Sequence, residues 1–277
     1  MQFTKMNGAG NDFIILNNLT EHIPHAQFPS IARTLCHRRL SIGADGLMVV
    51  DAPRQGGDFR MLFYNADGSE GEMCGNGARC ICRYGYEKAL AGETQTVESP
   101  SGLVTGRRID QRNYRIRLTD PSVVDLNRPV DALGQTWQCA YVELGNPGLP
   151  HVVVPYPGLT HESQSELTAL GRALRRAPAF PKGANVNFYD VASPQRIIEL
   201  TYERGVEDFT YACGTGSGST VLALTLLGKV SGKDVAVSVP GGTLRVDVDR
   251  DGDVIQNIWL TGPTNFVCEG AVLDEDL

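Results

Sequence analysis

The chain has 277 residues, enough for one large domain or for two lobes of roughly 100–150 residues with a core each. Hydrophobic residues make up 42% and charged residues 21%, which excludes a disordered tail, a collagen-like rod and a long coiled coil. Lys+Arg is 25 against Asp+Glu 32, so the net charge of −7 gives no global attraction for nucleic acid or an anionic membrane.

The N-terminal MQFTKMNGAGNDF has neither the apolar run nor the cleavage site of a secretory signal. The longest apolar stretch, Val221 to Leu227, is too short to span a bilayer. A soluble, cytoplasmic protein is expected. Short strands are expected at 12–16, 47–50 and 59–64, and a helix over 30–39 after the start signal Pro29. A second helix is expected over 76–90, with further short extended segments at 95–98, 102–107 and 114–118. The Asp120-Pro121 step reads as a boundary. Beyond it, strands are expected at 137–143, 151–154, 185–189, 196–202 and 254–260, and helices at 163–176 and 215–228. Turns are expected at 182–183 and 240–242.

Seven cysteines (36, 74, 80, 82, 139, 213 and 268) form an odd set in a long chain, which favours reduced thiols over a disulfide framework. No CxxC pair exists, so no zinc site and no other metal site is expected. Cys36, Cys80, Cys82, Cys139 and Cys268 read as small core filler. His37 and His151 are candidates for orienting a substrate or thiol, and His22, His25 and His161 read as surface or turn residues.

One repeat stands out. GSEGEMCGNGARCICRYGYEKAL around Cys74 and GVEDFTYACGTGSGSTVLALTLLGK around Cys213 share a polar loop, then Cys-Gly-x-Gly, then a helix-compatible run of small and apolar residues. The two cysteines are 139 positions apart, half the chain, so two pseudo-equivalent halves are expected. A thiol just before a helix is biased toward the thiolate by the helix N-terminus. The glycines after it let unpaired N–H groups approach an anion. Two such loops facing one carbon acid could remove a proton from one side and return one from the other. Their N–H groups would stabilise charge developing on an amino acid's carboxylate. Asn11, Asn65, Asn146 and Asn185 at turn-like positions, and Glu203-Arg204-Gly205 ten residues before Cys213, are the kinds of group that hold an amino acid.

In these motifs the chain resembles the diaminopimelate epimerases. The matching segments are FTKMNGAGNDF at 3–13, GADGL at 43–47, YNADGSEGEMCGNGARC at 64–80, GANVNF at 183–188, YERGVEDFTYACGTG at 202–216 and PGG at 240–242. The resemblance implies an α+β fold of two pseudo-symmetric lobes. Each would wrap a curved, mostly antiparallel sheet around a central helix, with the active site in the cleft between lobes. The first lobe would take 1–118 plus 264–277 and the second 119–263. It implies interconversion of LL- and meso-diaminopimelate, in lysine and peptidoglycan-precursor synthesis, with no cofactor, no metal, and a small-molecule amino acid as substrate. It also implies a homodimer. By motif, Cys74 and Cys213 would be the acid–base pair. Gly75, Asn76, Gly214 and Thr215 would give backbone N–H groups to the reacting carboxylate. Asn11 and Glu203 would meet the ammonium, and Asn65, Asn146, Asn185 and Arg204 the distal end.

Two departures touch recognition rather than thiol chemistry. The family's contiguous Asn-Pro-His is NPGLPH here, with three residues between Pro147 and His151. Gly46 stands where some members carry Gln. The alternatives are therefore the same chemistry on another amino acid, histidine for example, or, from another class, a thiol redox or metal-binding protein, or a non-enzymatic binder of small anions.

Overall fold

The computed structural model describes residues 1–71, 74–252 and 254–273. Glu72 and Met73 of the 64–80 motif, and residues 274–277 of the expected C-terminal return, lie outside the described residues. The chain divides into two units, one from Met1–Ile116 with the segment from Gly262 onward, the other from Arg117–Thr261.

In the first unit β1 (Gln2–Gly8) pairs antiparallel with β2 (Asn11–Asn17). The one-turn helix α1 (Asn18–Glu21) and then α2 (Phe28–Leu35) lead to β3 (Gly46–Asp51), parallel to β2. β4 (Phe59–Asn65) returns antiparallel to β3. α3 (Gly75–Glu87) then crosses to β5 (Thr94–Ser99), parallel to β4. β6 (Gly102–Arg108) and β7 (Asn113–Arg117) continue antiparallel.

The second unit opens with β8 (Pro121–Ala132), antiparallel to β9 (Gln135–Leu144). β10 (Leu149–Pro155) lies antiparallel to β9, and α4 (Gln164–Arg175) leads to β11 (Asn185–Ser193), parallel to β10. β12 (Arg196–Glu203) returns antiparallel to β11 and forms a hairpin with β13 (Asp208–Thr210). α5 (Gly214–Leu226) crosses to β14 (Val235–Val239), parallel to β12. β15 (Gly242–Asp251) and β16 (Val254–Pro263) follow antiparallel. The chain then returns to the first unit as β17 (Asn265–Ala271), antiparallel to β1. The pairing order from β1 to β7 (antiparallel, parallel, antiparallel, parallel, antiparallel, antiparallel) recurs from β9 to β16 once β13 is set aside. The chain is thus an α+β protein with an internal repeat.

Each unit buries both faces of its inner strands, which explains the unbroken apolar runs FIIL and LMVV. In the first unit Ile14, Leu16, Leu47, Val49 and Leu62 pack with Ile31, Ala32 and Leu35 of α2. In the second, Val152, Val154, Val186, Phe188 and Leu200 pack with Leu167, Leu170 and Leu174 of α4. Each of these side chains other than Ala32 contributes about 1.5–3 kcal/mol by leaving water. The helix that follows each cysteine is buried along nearly its whole length, Gly75 to Gly85 in α3 and Gly214 to Thr225 in α5. Small residues make this possible, because a helix enclosed on all sides needs space for its neighbours.

The first helix starts two residues earlier than the 30–39 expectation and ends at Leu35. The chain turns there because the N–H groups of Gly43 and Ala44 bond back to the carbonyls of Leu35 and Cys36. His37 lies in that exposed turn, where its Nδ1 accepts from the N–H groups of Arg39 and Leu40, a local capping job. Cys268 is not core filler: it is exposed on β17, which pairs with β1, whereas Cys36, Cys80, Cys82 and Cys139 are buried. Among the described residues no helix is long and apolar enough to cross a membrane.

Candidate active site

Cys74 and Cys213 occupy one structural position in the two units. Each is the N-cap residue of its buried helix, with extended backbone (φ −104°, ψ 120° and φ −115°, ψ 107°). Each carbonyl accepts the first helical hydrogen bond, from the Ala78 N–H at 2.8 Å and from the Ser217 N–H at 2.9 Å. The N–H groups before those, Gly75 to Gly77 and Gly214 to Gly216, have no carbonyl partner within the helix. Each first turn therefore presents a half-positive rim of donors beside a thiol.

In the first unit Asn76, buried at the second position of α3, donates from Nδ2 to Asn11 Oδ1 at 2.6 Å. Asn11, at the start of β2, donates in turn to Asp45 at 3.1 Å. Asp45 and Asp12 share the Arg38 guanidinium at 2.6 Å each, and Lys5 sits 2.7 Å from Asp12. Burial pushes the Asp12 carboxyl up, but hydrogen bonds from Arg38 and Lys5 outweigh it and leave the group below the usual range. Beneath Asn76 lies Arg79, fully buried, with Nη2 on Asn76 Oδ1 at 2.7 Å and Nη1 on the Gly75 carbonyl at 3.3 Å. Burial brings Arg79 down to about 10, so it remains a cation at neutral pH. Asn65, at the end of β4, is exposed and donates to Ser69 Oγ at 2.9 Å. Gly46 is buried at the start of β3, where a Cβ would meet the Phe63 ring at 2.5 Å, so no larger side chain fits there without a shift.

In the second unit Cys213 is 8% exposed and its Sγ lies 3.6 Å from Thr215 Oγ1. Burial pushes its thiol well above the ordinary value, and the negative charge of Glu203 adds to this. The Thr215 hydroxyl and the Gly216 N–H work the other way, and Glu199 contributes a further rise. Glu203 ends β12 and Arg204 follows it. The Arg204 N–H donates to Asn185 Oδ1 at 2.8 Å and its guanidinium to the Lys182 carbonyl at 3.0 Å, so Asn185, Glu203 and Arg204 are gathered at one end of β11 and β12. Asn146 is exposed on the turn between β9 and β10. The three added residues carry His151 out of that turn into β10. There it is fully buried in register with Asn185, with Nδ1 3.3 Å from Asn187 Nδ2. Burial takes the imidazole down to about 3, with a smaller contribution from Arg204, so it is neutral at physiological pH.

Arg79, Asn187 and Glu199 escape sequence reasoning, although two of them leave a period-2 signal. Along β12 the face that carries Glu203 also carries Thr201 and Glu199, and along β11 the face of Asn185 also carries Asn187. Asn187 is fully buried, donates to the Val152 carbonyl at 3.2 Å and accepts from Thr201 at 3.0 Å. Its Oδ1 lies where a Cβ on Gly216 would be only 2.3 Å away, so the first turn of α5 sits directly on this amide.

A family model described as diaminopimelate epimerase matches residues 3–123 and 144–267. A diaminopimelate epimerase of Moorella thermoacetica is 36% identical, over 98% of both chains. One of Methanothermobacter thermautotrophicus is 35% identical, again over 98% of both. Among solved structures, a probable proline racemase of Agrobacterium radiobacter superposes with a TM-score of 0.71 at 16% identity, covering 99% of this chain and 93% of that one, a likeness of fold.

Proposed function

The chain belongs to the diaminopimelate epimerase family, and we propose that it interconverts LL- and meso-diaminopimelate by passing the α-proton between two thiols, Cys74 and Cys213. One observation carries the reading: both cysteines cap a buried helix in the same place in each half of an internal repeat. A thiolate takes the α-proton and becomes a thiol. The electron pair left behind is delocalised into the carboxylate. The opposite thiol delivers its own proton to the other face and becomes a thiolate. The stereocentre inverts, and the enzyme ends with its two protonation states exchanged.

The donors of Gly75, Asn76, Gly214 and Thr215 receive the carboxylate charge as it grows, a contribution of about 10²–10³ in rate where one such donor has been removed elsewhere. Asn11 and Glu203 meet the reacting ammonium. The Asn11 amide is oriented for this by Asp45 and Asn76, and its Oδ1 keeps a second lone pair. Arg204, Asn185, Asn65 and Asn146 serve the distal amino-acid end. His151, neutral and sealed in β10, positions Asn187 rather than exchanging protons with substrate. The proposal includes a cytoplasmic homodimer, on the family resemblance and on the number of free thiols.

Proton NMR of diaminopimelate and of histidine, each incubated with the protein in D₂O without added cofactor, tests the reading. Loss of the α-proton signal is expected for diaminopimelate alone. Exchange on histidine alone would reassign the substrate, and exchange on neither would remove the activity.

A further inference from the structure

The two helices that begin at the cysteines carry opposite buried charges at their first turns. In α3 the charge is the Arg79 guanidinium, one turn below Cys74, bonded to the Gly75 carbonyl and the Asn76 side chain that make up the rim. Among the described residues no carboxylate is bonded to it, and its Nε has no partner. In α5 the corresponding place has no cation. The Ser217 N–H closes the first helical hydrogen bond onto the Cys213 carbonyl at 2.9 Å, and the Ser217 hydroxyl donates to Glu199 Oε2 at 2.5 Å. Glu199 is fully buried, and among the described residues no cation is bonded to it and its Oε1 has no hydrogen-bond partner.

We propose that these sealed charges divide the resting proton between the two thiols, Arg79 holding Cys74 as the thiolate and Glu199 holding Cys213 as the thiol. The inference rests on the two-thiol reading above and deepens it. Two-base epimerisation needs one sulfur of each kind at the start, and two helix N-termini alone would favour the thiolate on both sides. A buried positive charge adds to that bias in α3. A buried negative charge opposes it in α5.

Apart from Glu203, the other charged groups around each helix do not supply the asymmetry. α3 packs on β1, β2 and β6. Lys5 and Asp12 on the first two strands pair with each other, and Arg108 of β6 pairs with Glu93 and lies over the Tyr86 ring, at the far end of the helix. α5 packs on β9, β10, β11 and β15. There Glu143 accepts from Tyr141, His151 is neutral, and Asp190 accepts from the Gly158 N–H. Arg245 and Asp249 of β15 pair with Asp234 and Lys233, while Asp247 accepts from the Asp234 N–H. From β12, Glu203 raises Cys213 more than Glu199 does while no substrate is bound, and in the proposed reaction its charge is taken up by the substrate ammonium. Glu199 has no route to such a partner and keeps its effect while substrate is bound. Burial puts Glu199 at about 7, against the Ser217 and Thr220 hydroxyls, so its charge develops across neutral pH and is complete above it.

Arg79 and Glu199 are thus positioning residues, acting through the thiols. The test is peptide-resolved alkylation with iodoacetamide as a function of pH, following Cys74 and Cys213 in the same folded sample. The wild-type midpoint for Cys74 is expected below that for Cys213. Glu199→Gln keeps a group that can accept from Ser217 and should lower the Cys213 midpoint by about one pH unit while leaving Cys74 in place. Arg79→Met should raise the Cys74 midpoint by about as much, and Arg79→Lys should restore it. A purely structural role would change melting temperature without moving one thiol selectively. A Cys213 midpoint at or below that of Cys74, or a Glu199→Gln variant that moves neither, overturns the proposal, and the wild-type comparison decides even if the Arg79 variants do not fold. Loss of the epimerase reading would appear separately, as absent α-proton exchange in D₂O with the two midpoints still apart.

Discussion

The first turn of α3 and the first turn of α5 are built on one backbone plan and filled with different side chains. Both begin at an N-cap cysteine and both are enclosed by their own sheet. Behind Cys74 the space is occupied by a cation and a relay of amides running from Asn76 through Asn11 to Asp45. Behind Cys213 it is occupied by an anion, a hydroxyl and the amide of Asn187. A duplicated frame supplies what the two thiols have in common, a rim of donors. The side chains inserted beneath it supply what must differ, because a two-base transfer needs a base on one face of the stereocentre and an acid on the other.

Removing either thiol should have the largest effect. Cys74→Ala and Cys213→Ala should each lower the epimerisation rate by at least about 10²–10⁴-fold, because each removes a proton-transfer group, and circular dichroism should report an intact fold. Near-full activity in either variant would end the equivalence of the two turns.

The buried acid should be visible in stability. Burial raises Glu199 from 4.5 to about 7, so the folded protein keeps a proton that the unfolded chain has released. Its contribution is fully present below the unfolded value and is lost as pH rises to the folded one. Glu199→Gln removes that loss. Compared with wild type by urea unfolding, the variant should gain up to about 3 kcal/mol between about pH 5 and pH 8, at about 1.4 kcal/mol per pH unit. His151 has the opposite slope, but it is present in both proteins and cancels in the comparison. A difference that does not change with pH would mean that Glu199 is not buried as an acid.

A smaller effect separates the glycines that occupy the third helical position of each turn. On Gly216 a Cβ would lie 2.3 Å from Asn187 Oδ1, whereas on Gly77 the nearest atom, Met48 Sδ, is at an ordinary 3.4 Å. Gly216→Ala should cost about 1–3 kcal/mol by overpacking. Gly77→Ala should be neutral or gain up to about 1 kcal/mol from helix propensity. Thermal unfolding of the two variants checks this, and equal costs would show that the turns are packed alike.

The sequence carries the shared part of this comparison better than the differing part. The two Cys-Gly-x-Gly loops, the helices after them and the apolar inner strands are visible because spacing and composition mark them. β1 leaves no periodic signal, and β17 is expected only through the family resemblance, since QFTKMNG and NFVCEGA mix polar and small residues. The same mixture conceals the exposure of Cys268 on β17. Arg79 and Glu199 look like solvated charges until burial is known, and only the alternation along RIIELTYE puts Glu199 on the face of Glu203. NPGLPH reads as a displaced turn with His151 at the head of the strand expected over 151–154; β10 begins two residues earlier, at Leu149, which sets the His inside it.

The most direct test of the two-thiol account is the initial distribution of deuterium. Starting from LL-diaminopimelate in D₂O, the account predicts that newly formed meso product carries solvent deuterium at the inverted α-carbon while the remaining LL substrate still carries hydrogen. Product that retains the substrate's own proton would mean that a single base carries hydrogen across both faces, and would contradict it.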